Sequence, residues 1–355
     1  VARVLLRIGD PEGLPLAQGV VDDRSAEGPL AALDRVRVEV AGDAALGVVA
    51  HDAARTLFTR SLDLTTEEDL AIRARRLDRL GEAIALAADY DQAVATFGLA
   101  LEAGRRAMAD APDPNQRAIA RSIVARAAES LGTLQVEQLR FAEARQLADE
   151  VLELIVDGRD VEAVRLRSLR AEAGAALGER VDSLRDATLA LEIARELGDR
   201  TTELAALSRY IGVRSETGAA TAADWVELEQ LAAATGDWQR ALAGLTNQGM
   251  CLLDDEAAAV FPLTDRAAEL AEARGLTEDL AWVDYLRTEA AFVMGDWDSA
   301  LASGRRALEG GERNAYHRLV VRTWHAVVPI AAARGDRGEL AHAVPGELEA
   351  AKFPT

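Results

Sequence analysis

The sequence predicts an all-α protein, a helical-repeat solenoid in which antiparallel helix pairs stack into a right-handed superhelix. Three observations carry that expectation. Alanine, leucine, arginine and glutamate, all strong helix formers, fill the chain, and clean period-two runs of β-branched residues are missing. Gly-Asp pairs punctuate it at Gly9-Asp10, Gly198-Asp199, Gly236-Asp237, Gly295-Asp296 and Gly335-Asp336. Glycine there suits a helix C-terminus that needs φ > 0, and the aspartate caps the following helix. Third, the chain repeats itself. In Asp89–Leu101 and Asp296–Leu308 an aromatic is followed three residues on by alanine (Tyr90/Ala93, Trp297/Ala300), and Ala-Leu follows seven residues later. Phe141/Ala144 repeats the first half, with Val151-Leu152 at the later position. The alanine admits a neighbouring helix and the aromatic fills the space beside it, so Trp297 is expected in the core.

In chain order, residues 1–62 are expected to be helical but irregular, broken by the run from Asp22 to Pro29. The first helix meets Gly9-Asp10 too early for a repeat, so the chain reads as a fragment cut within a repeat, or as a trimmed array. The repeat array is expected over 63–340, followed by a C-terminal tail, 341–355. Helix pairs are expected at 67–87 with 90–109, 115–136 with 141–156, and 159–178 with 181–197. They continue at 200–217 with 221–235, 238–253 with 256–274, and 278–294 with 297–310, before a last helix at 313–334. Thr65-Thr66-Glu67-Glu68 reads as a capping box that opens the first pair, and Ala111-Pro112-Asp113-Pro114 closes it. Around 221–253 a second parity also fits, because Trp225, Leu228 and Ala232 precede Trp238/Ala241 as a first helix would.

Upstream of Tyr90 stand Leu77, Leu80, Gly81 and Ile84, and upstream of Phe141 stand Ala128, Leu131, Gly132 and Gln135 at the same offsets. At these residues the chain resembles the tetratricopeptide repeat, a helix-turn-helix unit with an aromatic-x2-Leu-Gly-x2-Tyr first helix and a later small-residue contact. The resemblance covers about residues 65–340 and is strongest over Leu77–Leu101. Longer, degenerate repeats of this kind look like the helical arm of large bacterial signalling regulators. There, comparable arms follow a STAND-type ATPase and precede a LuxR-type DNA-binding module or accompany a cyclase. The resemblance implies a cytoplasmic interaction module in signalling or transcription regulation, with first helices lining a concave face.

Chemistry is sparse. Sixty acidic residues against forty basic ones leave a net charge of −20, the wrong sign for holding phosphate backbones, so no direct nucleic-acid partner is expected. Lys352 is the single lysine, so no phosphate-cradling lysine follows a glycine run. Cys251 has no partner for an intrachain disulfide. No apolar run reaches the roughly 18 residues of a membrane span. His51, His317, His325 and His342 are spaced too widely for a zinc site, and the adjacent acids read as helix N-terminal charge. No catalytic residue, metal or cofactor is expected.

The candidate binding residues are Asn247, Trp282, Tyr285 and Glu289. Trp282, Tyr285 and Glu289 form one stripe on a first helix, and Asn247 is an amide placed mid-helix, a poor choice unless it bonds something. Core packing and groove lining both remain open for Trp282 and Tyr285. Three functions fit: a non-catalytic module holding a protein or peptide partner on a concave groove; a small-molecule or peptide receptor using a Trp-rich C-terminal half; and a hydrolase assembled from scattered acids.

Overall fold

The computed structural model describes residues 29–47, 50–66, 69–154, 158–314, 316–336 and 338. Among them are fifteen α-helices and no strand. The chain divides into two compact units, Val1–Thr217 and Gly218–Thr355. The first holds α1 (Pro29–Gly47), α2 (His51–Asp63), α3 (Leu70–Leu86), α4 (Tyr90–Asp110), α5 (Pro114–Glu137), α6 (Phe141–Leu152), α7 (Val161–Ala176), α8 (Arg180–Leu197) and α9 (Arg200–Glu216). The second holds α10 (Ala222–Thr235), α11 (Trp238–Leu252), α12 (Ala257–Arg274), α13 (Leu280–Val293), α14 (Trp297–Arg313) and α15 (His317–Arg334).

Within each unit successive helices pack on one another. Alternate ones also touch: α3, α5, α7 and α9 in the first unit, and α11, α13 and α15 in the second. These are the first helices of the expected pairs. The helices expected at 200–217 and 221–235 fall in different units; α10 packs instead on α11.

The punctuation works as residue chemistry requires. Gly198, Gly236, Gly275 and Gly335 end their helices with φ between 69° and 79°. Asp199, Asp237 and Asp296 accept from the backbone N–H three residues on, at 3.0, 3.0 and 3.2 Å. Asp113 accepts from Asn115 and Gln116 at 2.9 Å ahead of Pro114, whose missing donor costs nothing at the first helical position. Gly9-Asp10 lies outside the described residues, as do Glu67, Glu68, His342 and Lys352. Thr65 does not cap α3. Its hydroxyl donates to Ser61 O at 3.0 Å and accepts from Arg76 at 2.5 Å, and α3 starts five residues later, at Leu70.

Small residues set the spacing between paired helices. A β-carbon on Gly81 would stand 2.7 Å from the Phe97 ring sixteen residues on, and one on Gly42 would stand 2.8 Å from Phe58 at the same separation. Residues 29–63 therefore pack with the register of the pair that follows. In α13–α14 the sizes are exchanged: Thr288, fully buried, faces Gly304. Ala54, Ala93, Ala144 and Ala300 are all 0% exposed at the second-helix contact.

Trp297 corrects the sequence reading. It is 37% exposed, not core, because it is the first residue of α14 and precedes the turn that faces the neighbouring helix. Tyr90, which opens α4, is exposed for the same reason. The Arg334 guanidinium lies over the Trp297 ring, 5.9 Å from its centre. Ala300, not Trp297, is the buried member of the pair.

Charge pairing follows the repeat. Glu39 meets Arg76, Asp43 meets Arg79, Asp78 and Glu82 meet Arg126, Glu129 meets Arg165, and Glu172 meets Arg209, each acid binding an arginine on a later helix. Asp284 and Arg287, which sit where the repeat family packs apolar residues, do the same with Arg306 and Asp265, at 2.8 and 2.7 Å.

Two outcomes test this packing. Trp297→Ala should cost about 1 kcal/mol or less, the range of an exposed cation–π contact, whereas Ala300→Leu should cost roughly 1–3 kcal/mol by overpacking; urea unfolding midpoints measure both. Leu139 holds φ 61° without being glycine and is 72% exposed, so Leu139→Gly should raise the melting temperature, stabilising by about 1 kcal/mol.

Candidate functional site

In the second unit, α11, α13 and α15 enclose a cleft of about 520 Å³. That volume lies within the range of roughly 300–1,000 Å³ usual for ligand sites. The packing of α13 against both α11 and α15 also puts their cleft-facing residues in one surface. Leu242 and Met250 from α11 and Leu286 from α13 supply its apolar lining. Trp282 is half-buried; its ring stands edge-on to Tyr285 at 6.1 Å and tilted against Tyr316 at 6.3 Å. An aromatic wall of this kind offers apolar area with polar tips.

Tyr285 is 6% exposed, yet its ring lines the cleft, so it serves both the core and the wall. Burial raises its phenol above the ordinary range; the charge of Glu289 adds to the rise, and Arg322, hydrogen-bonded to the phenol, opposes it. Asn247 donates to Ala243 O, four residues back, at 2.8 Å. That bond explains how α11 tolerates the amide, and leaves its carbonyl oxygen and second N–H for the cleft that it lines.

Three of the four candidate residues, Asn247, Trp282 and Tyr285, are thus brought to one cleft from two helices. Glu289 is not part of its lining. It stands a turn beyond Tyr285 on α13, where burial raises its carboxyl while His325 and Arg322 pull it down. The sequence reading missed Arg318 and Arg322, which reach the cleft from α15. Nothing local marks two arginines among thirty-nine; only their placement on the next first helix could have singled them out. Of the five tryptophans, Trp282 alone lines this cleft; Trp324 is buried in the core, and Trp238 lies under Arg274.

Three clefts in the first unit are smaller, about 140 to 290 Å³. The one between α7 and α9 is walled by Arg165 and Arg209, already paired with Glu129 and Glu172. Among the described residues no group of three His, Cys, Asp or Glu side chains could hold a metal ion, and no helix is long and apolar enough to cross a membrane. Cys251 is exposed, and partial burial pushes its thiol up, away from the reactive thiolate.

No protein-family model matches the sequence, and no curated protein matches it. Solved structures do. A Rap protein complexed with competence and sporulation factor is similar with a TM-score of 0.58 at 11% identity, over 99% of this chain and 95% of that one. The apo form of RapI gives a TM-score of 0.56 at 12% identity, over 80% of this chain and 99% of that one. A STAND protein with a tetratricopeptide-repeat sensor from Pyrococcus horikoshii gives 0.52 at 12% identity, over 83% of this chain and 52% of that one. At these identities the likeness is one of fold: the chain is an all-α, tetratricopeptide-like helical array.

The site's electrostatics have a measurable signature. Glu289→Gln removes one of the charges that raise Tyr285 and should lower the phenol's pKa, while Arg322→Gln should raise it further. Ultraviolet difference titration against Tyr285→Phe isolates the relevant phenol.

Proposed function

We propose that the chain is a non-catalytic recognition module that holds a peptide or an extended segment of a partner protein in the α11–α13–α15 cleft. One observation carries this reading: Asn247, Trp282 and Tyr285, the binding residues expected from sequence, line the same cleft of about 520 Å³. First helices in a repeat array add side chains to one continuous surface, and an elongated ligand can cross several of them. Free amide groups on Asn247 suit a peptide backbone, and the Trp282–Tyr285–Tyr316 wall suits an apolar side chain.

The similarity to a Rap protein solved with competence and sporulation factor supports such a use of this fold, as does the similarity to a STAND protein with a tetratricopeptide-repeat sensor. We read the chain as part of a bacterial signalling regulator that acts in the cytoplasm, with the ATPase or output domain elsewhere. The −20 charge favours a protein partner over nucleic acid. A small-molecule receptor built on clustered tryptophans is less supported, since a single tryptophan faces the cleft.

Peptides selected on the chain from a random display library provide the test. Trp282→Ala and Asn247→Ala should each weaken the selected peptides by about tenfold or more, a typical loss at an interface anchor, with melting temperature retained. Unchanged affinity in both variants would place binding elsewhere and overturn the reading.

A further inference from the structure

Many arginines among the described residues are paired with acids. Within the second unit Arg266 binds Glu229, Arg287 binds Asp265, Arg306 binds Asp284 and Arg334 binds Asp298. Arg318 and Arg322 differ from these four, and unlike the other arginines of this unit they line the cleft. Both are exposed, both line the cleft, and neither makes an ion pair with a carboxylate among the described residues. They stand four residues apart on α15, so they share one face at neighbouring turns.

The acids nearest the cleft do not neutralise them. Asp279 lines it, but its carboxyl is perturbed by burial and Glu278, with no arginine acting on it. Glu289 feels Arg322 and His325, yet burial still leaves its carboxyl above the ordinary range. The remaining polar groups of the lining are the uncharged Gln239, Thr246 and Asn247 and the Tyr285 phenol, to which Arg322 is hydrogen-bonded. Two positive charges therefore stand on one wall of a cleft whose other lining is apolar, aromatic and neutral polar except for Asp279, in a chain whose net charge is −20.

Resting on the recognition function above, we infer that Arg318 and Arg322 form a carboxylate subsite, and that the occupant is an acidic peptide segment. An Asp or Glu side chain of the ligand lies between the two guanidinium groups, whose planar N–H forks match a carboxylate's two oxygens. A neighbouring apolar or aromatic side chain of the ligand sits against Trp282, Met250 and Leu286, and its backbone meets Asn247. Glu289 is then no ligand contact. It competes with the ligand carboxylate for Arg322, so its removal strengthens binding.

The test uses the full chain and two pools of N-acetylated, C-amidated hexapeptides. Both are randomised over Phe, Leu and Ser; one carries Glu at a fixed position and the other Gln, so only a side-chain carboxylate differs. The Glu pool should bind at least about tenfold more tightly, the usual scale for a charge-assisted contact of this kind. Arg318→Gln should erase most of that difference at unchanged melting temperature, because its side chain is exposed, and Arg322→Gln, which also loses the bond to the Tyr285 phenol, should erase it as well. Glu289→Gln should widen it. Equal binding of both pools, insensitive to either arginine but lost in Trp282→Ala, would overturn the carboxylate subsite and leave peptide recognition standing. Absence of binding by either pool at millimolar concentration would remove both.

Discussion

A β-carbon on Gly81 has no room, and most of this architecture follows from that. With 2.7 Å between its position and the Phe97 ring, α3 and α4 are held at a distance only glycine permits. The same closeness recurs at Gly42 against Phe58 and, with the sizes exchanged, at Thr288 against Gly304. What the repeat preserves is a combined volume across the contact, not a residue type at each position. Close-packed interiors tolerate volume-conserving exchange far better than a net change. Once two helices of a pair meet this closely, the alternate helices are left beside one another, and the cleft lies between their faces.

That rule explains how the fold could be read from the chain, and where reading stopped. Gly198, Gly236 and Gly335 take positive φ and the following aspartates cap, because both effects are local to two or three residues. The alanines at 93, 144 and 300 were identified as contacts since no larger residue could serve. Trp297 departs from the expectation because it opens α14, at the end of the packed span, where its ring meets Arg334 and stays partly exposed although it shares a face with buried Ala300. The Gly42–Phe58 pair has the same spacing in the sequence, but it follows the irregular run from Asp22 to Pro29 and lacks the flanking Leu-Gly pattern of Leu80-Gly81.

The candidate site was half legible. Trp282 and Tyr285 declared themselves by rarity and spacing, and Asn247 by being a poor helix residue; all three face one cleft. Arg318 and Arg322 did not, because an arginine's meaning here depends on whether an acid stands a repeat away. Arg76 finds Glu39, Arg165 finds Glu129 and Arg266 finds Glu229. Surface pairs of this sort contribute little to stability individually, about 0–1 kcal/mol each. Their larger effect is on what remains. Arginines answered within the array cannot answer a ligand, and those left unanswered define where a ligand's charge can go.

The same division of labour runs through the cleft itself. Tyr285 is buried among Ala281, Ala307 and Leu319 while its ring lines the cleft, so altering it changes packing and recognition together. Arg318 is exposed, so altering it changes recognition with little effect on packing, whereas Arg322, also exposed, additionally bonds the Tyr285 phenol. A net charge of −20 opposes the approach of an acidic segment at long range, but that repulsion is screened within about 8 Å at physiological salt. Inside that distance the two guanidinium groups and the aromatic wall decide the outcome. Selectivity in such a site is a property of contact, not of steering, and it resides in the residues that the fold can spare.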